Sequence, residues 1–387
     1  MRICVLLECN MNYLRGSFMA IHNRMKYLIK EPSIEVCIYN FLRYYDPFTN
    51  FVRGYKHIDK KEEYVIDGIH YHCYYYKRSY IDYFLRSISN YQTTIEVNRV
   101  KKYKNLFKQF DICFAHSLYT GLLALDLKLQ YGIPFAMMWH GSTIHTAPFS
   151  NKTTFNLTRK VLQGANHNFF VSNELLEIGR RIAGNKFPAS VSLNGVDTTM
   201  FYNYSEEKKK SIAKELQIDY SKFNLAFVGN YLPIKNVSYL PYLFGSLYND
   251  FPDIMFHIIG TGPFQNDYKN AIYPIKLWGN QPPENMPKLY NCMDLIIIPS
   301  INEGLPMTCI EAVACGTEVL GSRVGGIPDA IGEENTIPFS KTFKDDFAQK
   351  CKDIIHHHSH REVHLKDEFE ISQIVKREYY ILSSLTK

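Results

Sequence analysis

Short apolar runs of four to seven residues recur along the chain. Each is followed by a polar loop and then by a longer segment with apolar residues at three- and four-residue spacing. Runs without polar alternation predict strands buried on both faces, as in parallel sheets, and the longer segments predict the helices that cover them. Strands are predicted at 1–7, 34–39, 111–115, 134–139, 168–171 and 191–193, then at 224–228, 254–259, 275–278, 295–298 and 318–321. Helices are predicted at 18–28, 120–130, 174–183 with Ser172 as cap, 205–214, 286–291, 307–314 and 369–385. One stretch differs: 64–76 alternates around Asp67-Gly68, a turn dipeptide, and predicts a half-exposed strand pair. Alternating strands and helices in two blocks predict an α/β chain of two Rossmann-like domains, 1–200 and 201–368.

Composition agrees with that division. A chain of 387 residues with 46% hydrophobic positions can bury two separate cores and is not disordered. No apolar run approaches the ~20 residues of a membrane span. The opening segment MRICVLLECN reads as a strand and lacks a signal-peptide cleavage pattern. Nine scattered cysteines without zinc spacing fit reduced thiols in a cytoplasmic protein. Charge is uneven. Residues 1–200 hold 25 Lys+Arg against 15 Asp+Glu, and the remainder holds 19 against 23. Between Tyr74 and Lys108, basic residues interleave with aromatics (Lys77, Arg78, Phe84, Arg86, Arg99, Tyr103, Phe107). That stretch reads either as a helical region with solvated charges and core aromatics or as a patch that docks on an anionic membrane surface. Nucleic acid is not expected, since no binding motif accompanies the charge.

The candidate chemistry concentrates between Asp294 and Ile331. Strand 295–298 leads into the loop 300–305, which carries Glu303 and Gly304. Pro306 is predicted at the first position of helix 307–314, where a missing N–H costs nothing. Glu311 lies inside that helix, Gly316 is a left-handed cap, and strand 318–321 leads to Gly325-Gly326. A helix N-terminus at the carboxyl edge of a parallel sheet suits a phosphate. A loop carboxylate can accept from sugar hydroxyls, and a second carboxylate one turn into the helix can take two vicinal ribose hydroxyls. Read singly, each Glu is only a surface or helix-face acid.

In register, Glu303, Gly304, Pro306, Glu311, Ala312, Ala314, Gly316, Val319, Gly325 and Gly326 resemble the donor-site signature of retaining, family-4-type (group 1) glycosyltransferases of the GT-B fold. Thr317 stands where that pattern has Pro. The resemblance is close from about residue 110 to 335 and looser elsewhere. It implies two Rossmann-like domains facing across a cleft, with the final helix, within 369–387, packing back on the first. Glu303 would hold the sugar hydroxyls, with the Gly304 and Leu305 amides and Pro306 beside it, and Glu311 would bind ribose. Gly229 and Lys235 match a Gly-Arg-x4-Lys-Gly element, with Lys235 on the diphosphate. Asn230 replaces its Arg and Asn236 its last Gly. Gln281, after Gly279 and Asn280, falls where the family holds the base. Gly16, beside Arg15, is the one Gly of a loop that is Gly-rich in the family. His140, in the sequence WHGS, falls on the histidine that lies beside the transferred sugar, and His116 ends the preceding strand. Asn194-Gly195-Val196-Asp197 with Phe201 matches the family's exit from the first domain.

The resemblance thus implies a metal-independent glycosyltransferase with no cofactor beyond its nucleotide-sugar donor. A glycan or lipid-linked acceptor in bacterial cell-surface synthesis is implied in the same way. Two alternatives share these features: a sugar-nucleotide epimerase or phosphorylase of the same fold, and a degenerate binding module, which Asn230 and the sparse first loop would suit. The histidines at 356–358 and 360 read as a solvated helix face, since contiguous side chains on a helix cannot converge on one ion. Gly260-Thr261-Gly262-Pro263 reads as a loop at the same sheet edge.

Overall fold

The structure, a computed structural model, describes residues 1–9, 16–53, 60–82, 91–262, 268, 271–357 and 363–386. Arg15, Phe84, Arg86, Pro263, His358 and His360 lie outside the described residues. The chain divides into two compact units, one of residues 1–193 with 372–387 and one of residues 194–371. The sequence pattern puts that division at 200/201.

The first unit is built on strands β1 (Arg2–Leu7), β2 (Glu35–Tyr45), β3 (Glu63–Ile66), β4 (Ile69–Arg78), β5 (Ile112–Ala115), β6 (Phe135–Trp139), β7 (His167–Phe170) and β8 (Ala189–Val191). Its helices are α1 (Gly16–Leu28), α2 (Pro47–Arg53), α3 (Tyr91–Lys101), α4 (Leu118–Tyr131), α5 (Gly141–His145), α6 (Lys152–Gly164) and α7 (Asn173–Ala183). The sheet order is β3-β4-β2-β1-β5-β6-β7-β8, and every pair is parallel except β3–β4. The central strands β1, β5 and β6 are fully buried apart from the first residue of β1, as uninterrupted apolar runs require. The hairpin turns at Asp67 and Gly68, both at positive φ, as the dipeptide predicts. Strand β2 runs six residues past its expected end at Tyr39. Pairing with β4 as far as Tyr45↔Arg78 carries it on.

The described residues of the basic-aromatic stretch form strand, helix and 3-10 turn, and several of its aromatics face inward as the core reading expects. Tyr76 and Phe107 are buried, and Tyr74 packs on Tyr103 with centroids 4.9 Å apart. Arg78 pairs with the buried Glu96, and Arg99 with the buried Asp82. These side chains belong to the core of the unit, and the helical reading fails at Tyr74–Arg78 because alternate residues there pack on β2.

The second unit holds β9 (Phe223–Val228), β10 (Ile254–Ile259), β11 (Ile275–Gly279), β12 (Leu295–Ile298), β13 (Glu318–Ser322) and β14 (Thr336–Ile337). Their order is β11-β10-β9-β12-β13-β14, all parallel. Numbered within the unit this is 3-2-1-4-5-6, the doubly wound Rossmann order, and the first unit repeats it through β4-β2-β1-β5-β6-β7. The helices are α8 (Glu206–Glu215), α9 (Leu240–Asp250), α10 (Met286–Asn291), α11 (Met307–Ala314), α12 (Ile327–Ile331) and α13 (Phe343–His356). Leu225, Phe227, Ile258 and Ile297 of the sheet pack with Leu243, Phe244, Phe347 and Ile354 of α9 and α13 to form the core.

The last helix, α14 (Ile371–Ser384), belongs to the first unit from Ser372 on. A buried ion pair fastens it there. Arg24 of α1 donates to Glu378 at 3.0 Å and to the carbonyls of Ser192 and Leu193 at 3.1 and 2.6 Å. Among the described residues no helix is long and apolar enough to cross a membrane.

Candidate functional site

In a doubly wound sheet the loops at the carboxyl ends diverge where the strand order reverses, and the gap between them receives ligands. In the second unit that point lies between β9 and β12. The loop after β9 carries Gly229, Asn230 and Lys235, and the loop after β12 carries Glu303, Gly304 and Leu305. The two loops are tied by the Ile301 N–H, which donates to the Ile234 carbonyl at 2.8 Å. Lys235 Nζ reaches Glu303 Oε1 at 2.5 Å, with side-chain exposures of 27% and 11%. The two side chains that the sequence assigns to diphosphate and sugar therefore meet, each neutralising the other.

Backbone packing around this pair is tight enough to demand glycine. A Cβ on Gly325, at φ +57°, would lie 2.2 Å from the Glu303 carbonyl oxygen, and one on Gly326 would lie 2.8 Å from that of Gly304. The Gly326 N–H also donates to the Gly304 carbonyl. A Cβ on Gly260 would come 2.1 Å from the Gly229 carbonyl oxygen. Among the described residues, the N–H groups of Gly304 and Leu305 have no hydrogen-bond partner in the fold.

Pro306 is the N-cap of α11 and not its first residue. Its ψ of 128° is extended, and Met307 begins the helix. The fixed ring φ suits either position, so the sequence does not separate them. Glu311 lies one turn into α11 and is half-buried, and loss of water around it pushes its carboxyl up to about 7. Tyr290 of α10 donates its hydroxyl to Glu311 Oε2 at 3.0 Å. Tyr290 carries no sequence signal, because it reaches Glu311 only through the packing of two helices. Thr317, the departure from the family pattern, has a structural reason. Its N–H donates to the Ala312 carbonyl at 3.0 Å and its hydroxyl to the Tyr290 carbonyl at 2.6 Å. A Pro could make neither bond.

Gln281 is committed locally. Its amide donates to the Trp278 carbonyl at 2.7 Å and accepts from Asn285 at 3.3 Å. Asn230 is exposed, and its carbonyl accepts from the Leu232 N–H at 2.8 Å. In the first unit Gly16 is the exposed first residue of α1. His140 follows β6, and its Nε2 lies 3.1 Å from Nδ1 of His116, which follows β5. The rings stack with centroids 5.4 Å apart. Burial pushes His140 down to about 3, and burial, His140 and Arg24 push His116 well below the usual imidazole range. The two rings are therefore neutral near pH 7 and share a single N–H···N bond.

Sequence reasoning misses a second group at the carboxyl edge of the first sheet. Arg43 bridges Glu8 and Glu96 at 3.2 and 3.3 Å, while Tyr76 donates to Glu8 at 2.5 Å and Tyr119 to Glu96 at 2.7 Å. Burial raises the Glu8 carboxyl. These residues come from two strands, two helices and the loop after β1 and share no local pattern. Among the described residues no three His, Cys, Asp or Glu side chains converge as a metal site.

Comparison with known proteins agrees with this geometry. Residues 208–366 match the family described as glycosyl transferases group 1. A Bacillus subtilis protein provisionally named the teichuronic acid biosynthesis glycosyltransferase TuaC is 25% identical over 268 residues, 69% of this chain and 65% of that protein. The D-inositol 3-phosphate glycosyltransferase of Segniliparus rotundus is 27% identical over 243 residues, 57% of this chain and 52% of its own length. The chain thus spans less than two thirds of these relatives. Among solved structures, Anabaena HepE in complex with UDP superposes with a TM-score of 0.73 at 15% identity, over 100% of both chains. Sucrose-phosphate synthase of Thermosynechococcus elongatus gives 0.69 at 14%, over 100% of this chain and 95% of that one. The likeness to solved structures carries the GT-B fold, and the family match falls on the unit that holds Lys235, Glu303 and Glu311. Residues 208–366 thus match the group 1 glycosyltransferase family, and the chain as a whole has a GT-B fold.

Proposed function

We propose that the chain is a retaining glycosyltransferase that moves a sugar from a nucleotide-sugar to an acceptor hydroxyl. The observation that carries this reading is the Lys235–Glu303 pair at the switch point of the second sheet, with Glu311 on the helix that follows. Glu303 accepts from the sugar hydroxyls, and the free N–H groups of Gly304 and Leu305 add donors beside it. Glu311, ionised, accepts from the two ribose hydroxyls. Lys235 leaves Glu303 for the diphosphate as the donor enters and stabilises the charge that grows on the leaving phosphate. The bond from the anomeric carbon to that phosphate breaks, a bond to the acceptor oxygen forms on the same face, and the acceptor proton passes to the departing phosphate. Lys235 and the helix N-terminus supply the positive charge without a metal ion.

The bound nucleotides of related structures, UDP and UDP-glucose in HepE, support a uridine nucleotide-sugar as the first donor to try. The teichuronic acid relative and a lipopolysaccharide outer core galactosyltransferase of like fold support a glycan or lipid-linked acceptor of the cell surface. The test is turnover of UDP-sugars with such acceptors in chelator. Glu303→Ala, Glu311→Ala and Lys235→Ala are expected to abolish transfer with folding retained, and full activity in all three ends the proposal. An epimer or a sugar phosphate formed from donor alone would reassign the reaction.

A further inference from the structure

The segment that opens the second unit, residues 194–197, is held in place by the segment that closes it. The Val196 N–H donates to the Phe369 carbonyl at 2.9 Å, and the Val196 carbonyl accepts from Ile371 at 3.2 Å. A Cβ on Gly195 would stand 2.7 Å from the Ile371 Cα, so only glycine lets the two backbones approach. Asn194 is thereby fixed at 5% exposure. Its side-chain nitrogen donates to the Leu305 carbonyl at 2.6 Å, across 111 residues of sequence. The assignment of nitrogen over oxygen is chemical, since a carbonyl can only accept.

That bond falls on the loop that carries Glu303. The loop is gripped at two successive peptides. The Gly304 carbonyl takes the Gly326 N–H, and the Leu305 carbonyl takes Asn194. In a planar trans peptide the C=O and the N–H point opposite ways. Holding the Gly304 carbonyl therefore turns the Leu305 N–H away from Gly326, and holding the Leu305 carbonyl stops the next plane from rotating that orientation off. We propose that Asn194 is a positioning residue for sugar recognition, one that fixes the peptides after Gly304 and with them the direction of the Leu305 N–H and the reach of Glu303. This rests on the reading that this loop holds the donor sugar. Glu311 hangs on Tyr290, and Lys235 gives up Glu303 when a diphosphate enters, so UDP binding leans on Asn194 far less than sugar binding does.

The experiment measures dissociation constants of UDP and UDP-glucose for the whole chain, together with kcat on the best donor and acceptor. Asn194→Ala and the isosteric Asn194→Asp, which loses the donor and sets a carboxylate against a carbonyl, are compared with wild type. Both variants are expected to bind UDP within about twofold of wild type and UDP-glucose at least about tenfold more weakly, with kcat reduced. Asn194→Asp is expected to be the worse of the two. Equal losses for both ligands, or wild-type behaviour of Asn194→Asp, would overturn the proposal. Wild-type chain that binds neither ligand would instead overturn the donor reading beneath it. A melting curve for each variant separates unfolding from these outcomes, and Asn194→Asp keeps the test open should Asn194→Ala fail to fold.

Discussion

The most informative single side chain is Glu311, whose burial works against the fold and for the ligand. Its carboxyl sits at about 7 in the folded chain against an ordinary 4.5. Between those values the folded state holds a proton that the unfolded state has released. Stability from this group is therefore full below pH 4.5 and falls as pH rises to about 7, by roughly 3 kcal/mol at most. Donor binding runs the other way, because only the carboxylate accepts from both ribose hydroxyls. Donor affinity is expected to rise about tenfold from pH 6 to pH 8. Glu311→Gln should melt higher than wild type at pH 8 and lose both donor affinity and its pH dependence, by calorimetry and titration. Lys235→Arg is expected to restore little of the activity lost in Lys235→Ala, since the site was built around a compact ammonium 2.5 Å from Glu303. Legibility at this scale follows locality. Glu303, Pro306 and Glu311 share one strand, loop and helix and are visible in a single window. Tyr290 and Asn194 act through hydrogen bonds that span 21 and 111 residues, which no periodicity encodes.

Among the elements, the buried parallel strands were the most legible. Ile254–Ile259 and Leu295–Ile298 coincide with their apolar runs, since a strand covered on both faces is mostly apolar, and the one polar residue there, His257, is buried against Asn224 at 2.9 Å. The hairpin at Asp67-Gly68 was equally plain. The helices α9 and α13 were not. The first opens with Pro241 at its N-terminus and carries Gly245 and two Tyr, and its packing, not its propensity, makes it a helix. Two glycines give opposite predictions. Gly245 sits inside α9, and a Cβ there would meet nothing within 4 Å, so Gly245→Ala is expected to stabilise by about 0.5–1 kcal/mol. Gly325 is at positive φ with the Glu303 carbonyl 2.2 Å from any Cβ. Gly325→Ala should cost more than about 1 kcal/mol and displace the acidic loop. Chemical denaturation reads both, and donor titration should weaken only for the second.

At the scale of the molecule, two Rossmann-like units were foreseen from the alternation of elements, whereas the charged groups at the edge of the first sheet were not. The polar contacts that complete that unit are equally non-local, and the Arg24–Glu378 pair is the plainest case. Both partners are buried, so Glu378→Ala leaves a guanidinium without its carboxylate and is expected to cost about 3–5 kcal/mol in a melting experiment. Glu378→Gln, which keeps an acceptor, should cost less. The pair also has a consequence for synthesis. During translation the first 193 residues emerge with Arg24 lacking its carboxylate, and the helix bearing Glu378 follows only after the whole intervening unit has left the ribosome. The usual N-terminal-first sequence of domain maturation is thereby inverted: the later-made sheet can close while the earlier one still waits for its last helix.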